Sequence, residues 1–387
     1  MPILKKASSK SRGRGGDFLA LLLLLGLLGG LGWLWWQGKH PAKTTHKKIP
    51  VPARVVETTA PSKVQPVAAK PAPLPKVQPA EIKPAAPVVP APVPVLPPPA
   101  DFPRPVRDML EAQIALARRA ISPGSIDAAL GSQTRAAIAA FQRSQNLSAT
   151  GSLDTNTRPH LTLDAPALAT YLVTTNDLAR LQPLGKTWLE KSGQTALDYE
   201  TELELVAEQG HANPALIRQF NPDANWSELA AGTVLKIPDV NYPEPDGKAA
   251  LAVIHLTQRF LEAFDAETNL LAHFPCSIAA KVEKRPVGEL HVAVVAPNPN
   301  YTFDPEIFPE SAEAQAIGHK LVLPPGPKNP VGVAWIGLDK PGYGMHGTPS
   351  PEQIGRTESH GCFRLANWDA AYLVKLVWIG MPVEVVP

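Results

Sequence analysis

Cysteine is scarce in this sequence, and its scarcity excludes some classes of protein. The 387 residues include only two cysteines, Cys276 and Cys362, which lie 86 positions apart. This spacing excludes a small disulfide-stapled domain and a cysteine-rich zinc site, and it leaves a reactive thiol open. Four histidines of the C-terminal half lack the spacing of metal ligands: His255, His273, His291 and His319. We therefore predict no metal and no cofactor.

Charged residues are also few, at 19%, and the two signs are unevenly distributed. Residues 1–105 contain 15 Lys or Arg against four Asp or Glu, and the remainder contains 22 against 31. The net charge of +2 therefore conceals a basic N-terminal part and an acidic remainder. Because nucleic-acid-binding domains usually have a basic folded part, we predict no nucleic acid as partner. The distribution favours an anionic membrane surface or a wall polymer.

Proline, in contrast, is abundant and concentrated in one stretch. Of the 44 prolines, 19 fall between Pro41 and Pro105, where they alternate with Ala, Val and Lys. This composition favours polyproline II and cannot build a packed core. Residues 37–105 are therefore predicted to be a disordered, semi-rigid linker. The whole chain is long enough for two or three domains.

An apolar run at 18–36 precedes the linker. Its 19 residues are uncharged and form about 28 Å of helix, which matches a hydrocarbon core of about 30 Å. Five cations lie in the tail 1–17, and three tryptophans lie at the far end of the run. These features predict a single-pass transmembrane anchor with the residues beyond 37 outside the cytoplasm. A cleaved signal peptide is the alternative, although no A-x-A-like site follows the run.

Helical periodicity predicts a small all-α module from 106 to 165. Apolar residues recur at helical spacing from Met109 to Ile121 and from Ala137 to Leu147, with Ser132 as the expected N-cap of the second helix. The string from Ile126 to Gln142 resembles the three-helix peptidoglycan-binding domain that accompanies many wall enzymes. A generic spacer bundle is the alternative.

A small α+β module is predicted from 185 to 240. Its pattern indicates a helix around Leu203, a helix from Pro214 and a strand ending at Pro238. Asn221 and the closing GTVLKIP resemble a LysM domain, a family that binds N-acetylglucosamine polymers. Residues 187–195 are then expected to supply the opening strand. A module that keeps this fold without binding glycan is the alternative.

The pattern changes to strands in the C-terminal part. Apolar and β-branched runs predict strands at 251–256, 270–274, 290–296, 320–324 and 331–338, and a short helix follows at 368–377. Residues 250–387 are therefore predicted to form a mainly-β domain. The whole is a multidomain chain of anchor, linker, two small modules and this domain.

One cluster of reactive residues stands out in the C-terminal domain. The strings GMHGT, with His346, and SHGCFRL, with Cys362, place a thiol and imidazoles among glycines. A histidine that takes the thiol proton activates a cysteine for acyl transfer, and a thiolate–imidazolium pair lowers the thiol pKa. Backbone N–H groups around Gly361 are expected to hold an oxyanion, and Arg364 to bind a carboxylate. A buried, inert cysteine is the alternative, and it is the interpretation favoured for Cys276.

These motifs resemble the catalytic domain of the L,D-transpeptidases. The stretches around Pro286-Val-Gly, Asn298 to Thr302 and Pro324 to Gly337 are in the style of the same family, although Arg285 departs from its usual Thr. The resemblance implies a β-sandwich-like fold with the cysteine under a flap. It also implies peptidoglycan stem peptides and glycan as partners, in the periplasm at the bacterial inner membrane. A carbapenem is expected to acylate the cysteine.

The resemblance also implies a role for each residue of the cluster. Cys362 is the expected nucleophile, His346 the base, and the Gly347 carbonyl the group that orients the imidazole. Four further residues are expected to line the substrate site: Ser359, His360, Gly361 and Arg364.

Two other functions stay open on the sequence alone. An L,D-carboxypeptidase would use the same residues with water as the acceptor. A noncatalytic wall-binding scaffold would instead hold Cys362 in a disulfide with Cys276.

Overall fold

The computed structural model describes residues 101–357, 359 and 361–387. The predicted tail 1–17, the anchor 18–36 and most of the linker, residues 37–100, lie outside this part of the chain. In the part that is described, no helix has the length and apolar character needed to cross a bilayer.

The module predicted to be all-α also contains two short strands. β1 (Arg104–Pro105) pairs antiparallel with β2 (Thr162–Leu163), and this pair joins the two ends of the module. Between them lie α1 (Met109–Ala117) and α2 (Ser132–Ser144), followed by turns at 155–160. The predicted linker therefore extends too far toward the C-terminus, because Arg104 and Pro105 already belong to the folded module.

The two helices of this module begin in different ways. Asp108 caps α1, since its carboxylate accepts the backbone N–H of Glu111 at 2.9 Å. The prediction of Ser132 as the N-cap of α2 is wrong, because Gly131 occupies that position and makes no side-chain cap bond. The first turn is held instead by the buried amide of Gln113, whose Nε2 donates to the Thr134 hydroxyl at 3.0 Å.

The α+β module begins earlier than predicted. Its opening strand is β3 (Leu168–Leu172), which pairs antiparallel with β4 (Val234–Pro238). Residues 187–195 do not form a strand, because Thr187 caps a short helix through a capping box with Glu190. The helices of the module follow in chain order: α3 (Thr175–Arg180), α4 (Trp188–Ser192), α5 (Glu202–Gln209) and α6 (Pro214–Phe220).

The two small modules share one hydrophobic core. Buried side chains of α1 and α2 form a single cluster with those of α5, α6 and β4. The backbones also pair, since the N–H of Ile126 donates to the carbonyl of His211 at 2.9 Å, and Arg118 forms an ion pair of 2.8 Å with Asp239. The prediction of two independent modules is therefore wrong, because their buried side chains form one core.

The C-terminal domain is mainly β, as predicted. Its main sheet has eight strands: β5 (Leu251–His255), β6 (Phe260–Phe264), β7 (Leu270–Pro275), β8 (Gly288–Pro297), β11 (Ala334–Leu338), β12 (Gly344–His346), β13 (Phe363–Arg364) and β14 (Pro382–Val386). The sheet is mixed, with the spatial order β13-β12-β11-β8-β14-β5-β6-β7, in which β12–β13 and β14–β5 are parallel pairs.

Two strands and two helices outside this sheet also belong to the domain. β9 (Tyr301–Phe303) and β10 (Leu321–Leu323) form a separate antiparallel pair with α7 (Ala312–Ile317) between them. α8 (Asn367–Leu376) follows the site sequence and buries Leu373 and Leu376 against the sheet. The sequence patterns did not predict five strands: β6, β9, β12, β13 and β14. β6 is almost wholly buried and lacks alternation, while β9, β12 and β13 have three residues or fewer.

Candidate active site

Two adjacent strands bring the predicted nucleophile and base to one face of the sheet. β12 and β13 run parallel, with Met345 opposite Phe363 and His346 opposite Arg364. Met345 and Phe363 are buried in the core, and alternate residues of a strand point to opposite faces. The side chains of His346 and Cys362 therefore project from the other face. Cys362 directly precedes β13 and lies diagonally across from His346.

The surroundings of His346 decide which ring nitrogen carries a hydrogen. Its Nδ1 lies 2.7 Å from the carbonyl oxygen of Gly347. Because a carbonyl oxygen only accepts, Nδ1 donates and Nε2 keeps its lone pair. The ring lies beside Trp335, the opposite residue on β11, with the ring centroids 5.6 Å apart. Burial lowers the pKa of His346 to about 4, so the imidazole is neutral at neutral pH.

Cys362 has a thiol that is protonated at rest. Burial raises the pKa of Cys362, against a hydrogen bond from the Gly344 backbone and the charge of Arg364. Its Sγ lies 3.5 Å from the carbonyl oxygen of Gly342. The predicted thiolate–imidazolium pair with a lowered thiol pKa is therefore wrong. Desolvation disfavours both charged forms, so the resting pair is a neutral thiol and a neutral imidazole.

Close packing around Gly347 holds its carbonyl in place. A Cβ atom on Gly347 or on Gly332 would overlap Oδ1 of Asn367, and Gly332 has a φ of +62°. Asn367 is buried at the start of α8, where its Oδ1 accepts the backbone N–H of Thr348 at 3.1 Å. The end of β12 and the loop at 332 are thus tied to α8 through one side-chain amide.

Ser359 closes a turn next to the cysteine through two hydrogen bonds. The Ser359 hydroxyl donates to the carbonyl of Cys362 at 2.5 Å and accepts the N–H of Gly361 at 3.2 Å. The Gly361 N–H, expected to bind an oxyanion, is therefore engaged within the turn. Arg364 donates to the Thr357 hydroxyl at 3.5 Å, and its charge also acts on Cys362. His360 lies outside the described residues.

The segment between the base and the nucleophile, residues 347–361, is the catalytic loop. Its middle is anchored at two consecutive residues. The Gly355 N–H donates to the Ser277 hydroxyl at 2.9 Å, and the Ile354 carbonyl accepts Nε2 of Gln133 at 2.5 Å. Gln133 belongs to α2, so the helical module contacts the catalytic loop directly.

Three residues at the site received no role from the sequence. Tyr301 and Trp335 lie in stretches that resemble the family, so their aromatic character was an available signal. Burial and then the charge of Cys362 raise the pKa of Tyr301. Asn367 gave no signal, because an asparagine at a helix start is ordinary.

Cys276 is separate from this site. It is fully buried, and burial raises the pKa of its thiol to about 12. Both cysteines are free thiols, so the disulfide required by the scaffold alternative is absent. Over residues 101–357, 359 and 361–387, no three His, Cys, Asp or Glu side chains are grouped so as to hold a metal ion.

A neutral imidazole sharing one face of a mixed sheet with a thiol defines a cysteine enzyme. Residues 249–385 match the family model of the YkuD L,D-transpeptidase catalytic domain, and residues 106–161 match that of the "Putative peptidoglycan binding domain". The C-terminal domain therefore matches the L,D-transpeptidase catalytic domain. Two of the three resemblances inferred from the motifs are confirmed, those to the L,D-transpeptidase catalytic domain and to the peptidoglycan-binding domain. The resemblance of the α+β module to LysM stays a prediction.

Similar proteins bear the same family name. "Putative L,D-transpeptidase YkuD" of Bacillus licheniformis is 26% identical over 185 residues, which are 48% of this chain and 93% of that protein. "Probable L,D-transpeptidase YbiS" of Escherichia coli strain K12 is 29% identical over 185 residues, 47% of this chain and 59% of that protein. A solved L,D-transpeptidase from Mycobacterium smegmatis is 19% identical with a TM-score of 0.29, over 41% of this chain and 76% of that one. The sequence relatives thus match about half of this chain.

Proposed function

We propose that this chain is a peptidoglycan L,D-transpeptidase with Cys362 as nucleophile and His346 as base. The observation that carries the proposal is the hydrogen bond from His346 Nδ1 to the Gly347 carbonyl. It leaves the lone pair of Nε2 available on the face that Cys362 shares, within a domain that matches the family model.

The first half-reaction acylates the cysteine. Nε2 of His346 removes the thiol proton as Sγ of Cys362 attacks the carbonyl carbon of the L,D peptide bond in a tetrapeptide stem. The carbonyl oxygen takes up the negative charge. Collapse of this intermediate breaks the C–N bond, and the imidazolium donates its proton to the leaving amine of D-alanine. The product is a thioester on Cys362.

The second half-reaction transfers the acyl group. The amine of another stem attacks the thioester carbonyl, His346 takes the proton of the attacking amine, and the C–S bond breaks. The imidazolium then returns its proton to the thiolate. Water in place of the amine would give the L,D-carboxypeptidase. Arg364, Ser359, Gly361 and His360 are proposed to bind the substrate around this centre.

The upstream modules are proposed to bind the wall. The family match of residues 106–161 supports a peptidoglycan-binding role for the helical module. In the neighbouring module, β3 pairs antiparallel with β4, and α5 and α6 lie between them after the two short helices α3 and α4. This arrangement supports the LysM-like interpretation. A fragment of residues 101–245 keeps their shared core and should sediment with purified sacculi. Its complete retention in the supernatant at low salt would contradict wall binding.

A membrane location is proposed on the apolar run alone. Residues 18–36 are expected to anchor the chain in the bacterial inner membrane with the catalytic domain in the periplasm. Protease added to spheroplasts should digest the C-terminal domain. Protection of that domain in intact spheroplasts would contradict the topology.

Mass spectrometry of muropeptides tests the reaction itself. The chain is incubated with a tetrapeptide-bearing muropeptide, with and without an acceptor stem. Cross-linked dimers with release of D-alanine support transpeptidation, whereas tripeptides alone identify the carboxypeptidase. Absence of both products would reject the proposed function.

A further inference from the structure

The β9–β10 pair and its connection, residues 301–323, form an arm that lies outside the main sheet. Its strands pair with each other and are not members of the eight-stranded sheet. Phe303 and Leu323 are nevertheless completely buried. An isolated pair of three-residue strands is not stable by itself in water. The burial of its apolar side chains therefore depends on other parts of the chain.

A segment of the upstream α+β module supplies much of that burial. Residues 173–200, called the insert, lie between β3 and α5. The indole of Trp188 in the insert stacks on Phe303, with the ring centroids 4.5 Å apart and the planes 16° apart. It also lies 6.2 Å from the ring of Tyr301. The backbone N–H of Trp188 donates to the Glu313 carboxylate at 2.6 Å.

Leu197 gives the insert a second attachment at the base of the arm. Its side chain is fully buried in one cluster with Phe303 and Leu323. Its N–H donates to the carbonyl of Pro325, and its carbonyl accepts the N–H of Lys328, each at 2.9 Å. The insert thus contacts the arm through stacking, apolar packing and backbone hydrogen bonds.

The arm in turn is tied to the site. At its base, the carbonyl of Pro327 accepts Nδ2 of Asn367 at 3.1 Å, and Asn367 is the residue packed against the end of β12. Burial and then the charge of Cys362 raise the pKa of Tyr301, the first residue of β9. The same residue contacts Trp188 of the insert. The upstream module is therefore connected to the arm at Tyr301, and the base of the arm is connected to the site at Asn367.

We propose that Trp188 and Leu197 are positioning residues that hold the arm beside Cys362, so that the arm forms one wall of the site for the donor peptide. This inference rests on the proposed function for the identity of the peptide, but not for the contact itself. A loosened arm would expose the thiol to small reagents while binding the donor peptide less well. The rate of thiol alkylation should therefore increase while the affinity for the donor peptide decreases.

The test compares Trp188→Ala with wild type in the full chain. We expect KM for a tetrapeptide donor to rise about tenfold with kcat changed less than about threefold. Alkylation of Cys362 by iodoacetamide should become at least about threefold faster, because burial of the thiol is relieved. Cys276 should stay unlabelled, since local opening of the arm leaves the buried core closed.

Leu189→Ala is the matched control, because Leu189 neighbours Trp188 in α4 but is 59% exposed. It should behave as wild type, and Trp188→Phe should restore most of the stacking. The proposal is overturned if Trp188→Ala equals Leu189→Ala in both KM and alkylation. If iodoacetamide also labels Cys276 in Trp188→Ala, the domain has opened globally. In that case KM and the alkylation rate of Cys362 are measured in Trp188→Leu, and these two values decide whether the proposal holds.

Alkylation uses no peptide, so it separates this proposal from the proposed function. A wild-type chain that releases no D-alanine would refute the transpeptidase assignment. The alkylation comparison would still decide whether Trp188 positions the arm.

Discussion

His346 Nδ1 donates to the carbonyl oxygen of Gly347, the next residue along the chain, at 2.7 Å. The bond sets the tautomer of the base through the backbone, with no carboxylate as the orienting group. Gly347 is itself held against Asn367 and Gly332, so the orientation of the imidazole depends on packing at the start of α8.

The catalytic pair is tested by removing each member. Cys362→Ala should abolish formation of the acyl-enzyme, because no other group replaces the sulfur. His346→Ala should leave a slow activity that rises with alkali, a loss of about a hundredfold or more. D-Alanine release from a tetrapeptide measures both, and near-normal turnover by either variant would contradict these roles.

A carbapenem should label one thiol only. We expect wild type and Cys276→Ala to gain the mass of the intact drug, whereas Cys362→Ala should gain none. The reason is that Cys276 is completely buried with its pKa raised to about 12. Intact-mass analysis decides, and an adduct that persists in Cys362→Ala but disappears in Cys276→Ala would reverse the assignment.

The pH dependence distinguishes a neutral resting pair from an ion pair. The pKa of His346 is lowered to about 4 and that of Cys362 is raised. As the pH increases, kcat/KM should therefore increase up to about pH 5 and then stay constant to about pH 8.5. Alkylation of Cys362 should keep increasing above pH 8.5. A plateau of alkylation from pH 5 to 8 would indicate the thiolate–imidazolium pair instead.

Gln133 should stabilise the catalytic loop from the helical module. Gln133→Ala removes its hydrogen bond to the Ile354 carbonyl, a loss of about 1 kcal/mol, so the amides of residues 353–357 should exchange hydrogen faster. Gln145→Ala, at the exposed end of the same helix, is the control. Equal exchange in both variants would show that the contact does not restrain the loop.

Asp369 should make stability depend on pH. Burial raises its pKa to about 7, against hydrogen bonds from Tyr242 at 2.6 Å and Ser122 at 3.1 Å. An acid whose pKa is higher in the folded state binds a proton preferentially there, so stability should fall as the pH rises from about 4 to 7. Glu208, with its pKa also raised to about 7, adds a slope of the same sign.

Asp369→Asn tests whether Asp369 causes this pH dependence of stability. It should raise the unfolding midpoint at pH 8 by about 2 °C or more and should flatten the slope between pH 4.5 and 7. Thermal unfolding across this range is the measurement. A variant with an unchanged slope would mean that Asp369 does not carry the dependence.

Sequence patterns were sufficient where the determining interactions are local. The glycine-rich context of His346 and Cys362 identified the reactive pair, and helical spacing identified the segments of α1 and α2. Alternating or β-branched runs identified the strands β5, β7, β8, β10 and β11. Such patterns follow from side-chain periodicity along a few residues, so they can be recognised without knowing the neighbours in space.

Tertiary structure decided the features that depend on distant partners. β3 opens the α+β module because it pairs with β4, more than 60 positions away, whereas the expected segment at 187–195 caps itself as a helix. The thiol pKa of Cys362 rises because the fold desolvates it, which no spacing of residues reveals. The stacking of Trp188 on Phe303 likewise joins segments over 100 residues apart. Pairing, desolvation and packing depend on what surrounds a residue, and only the folded chain determines that environment.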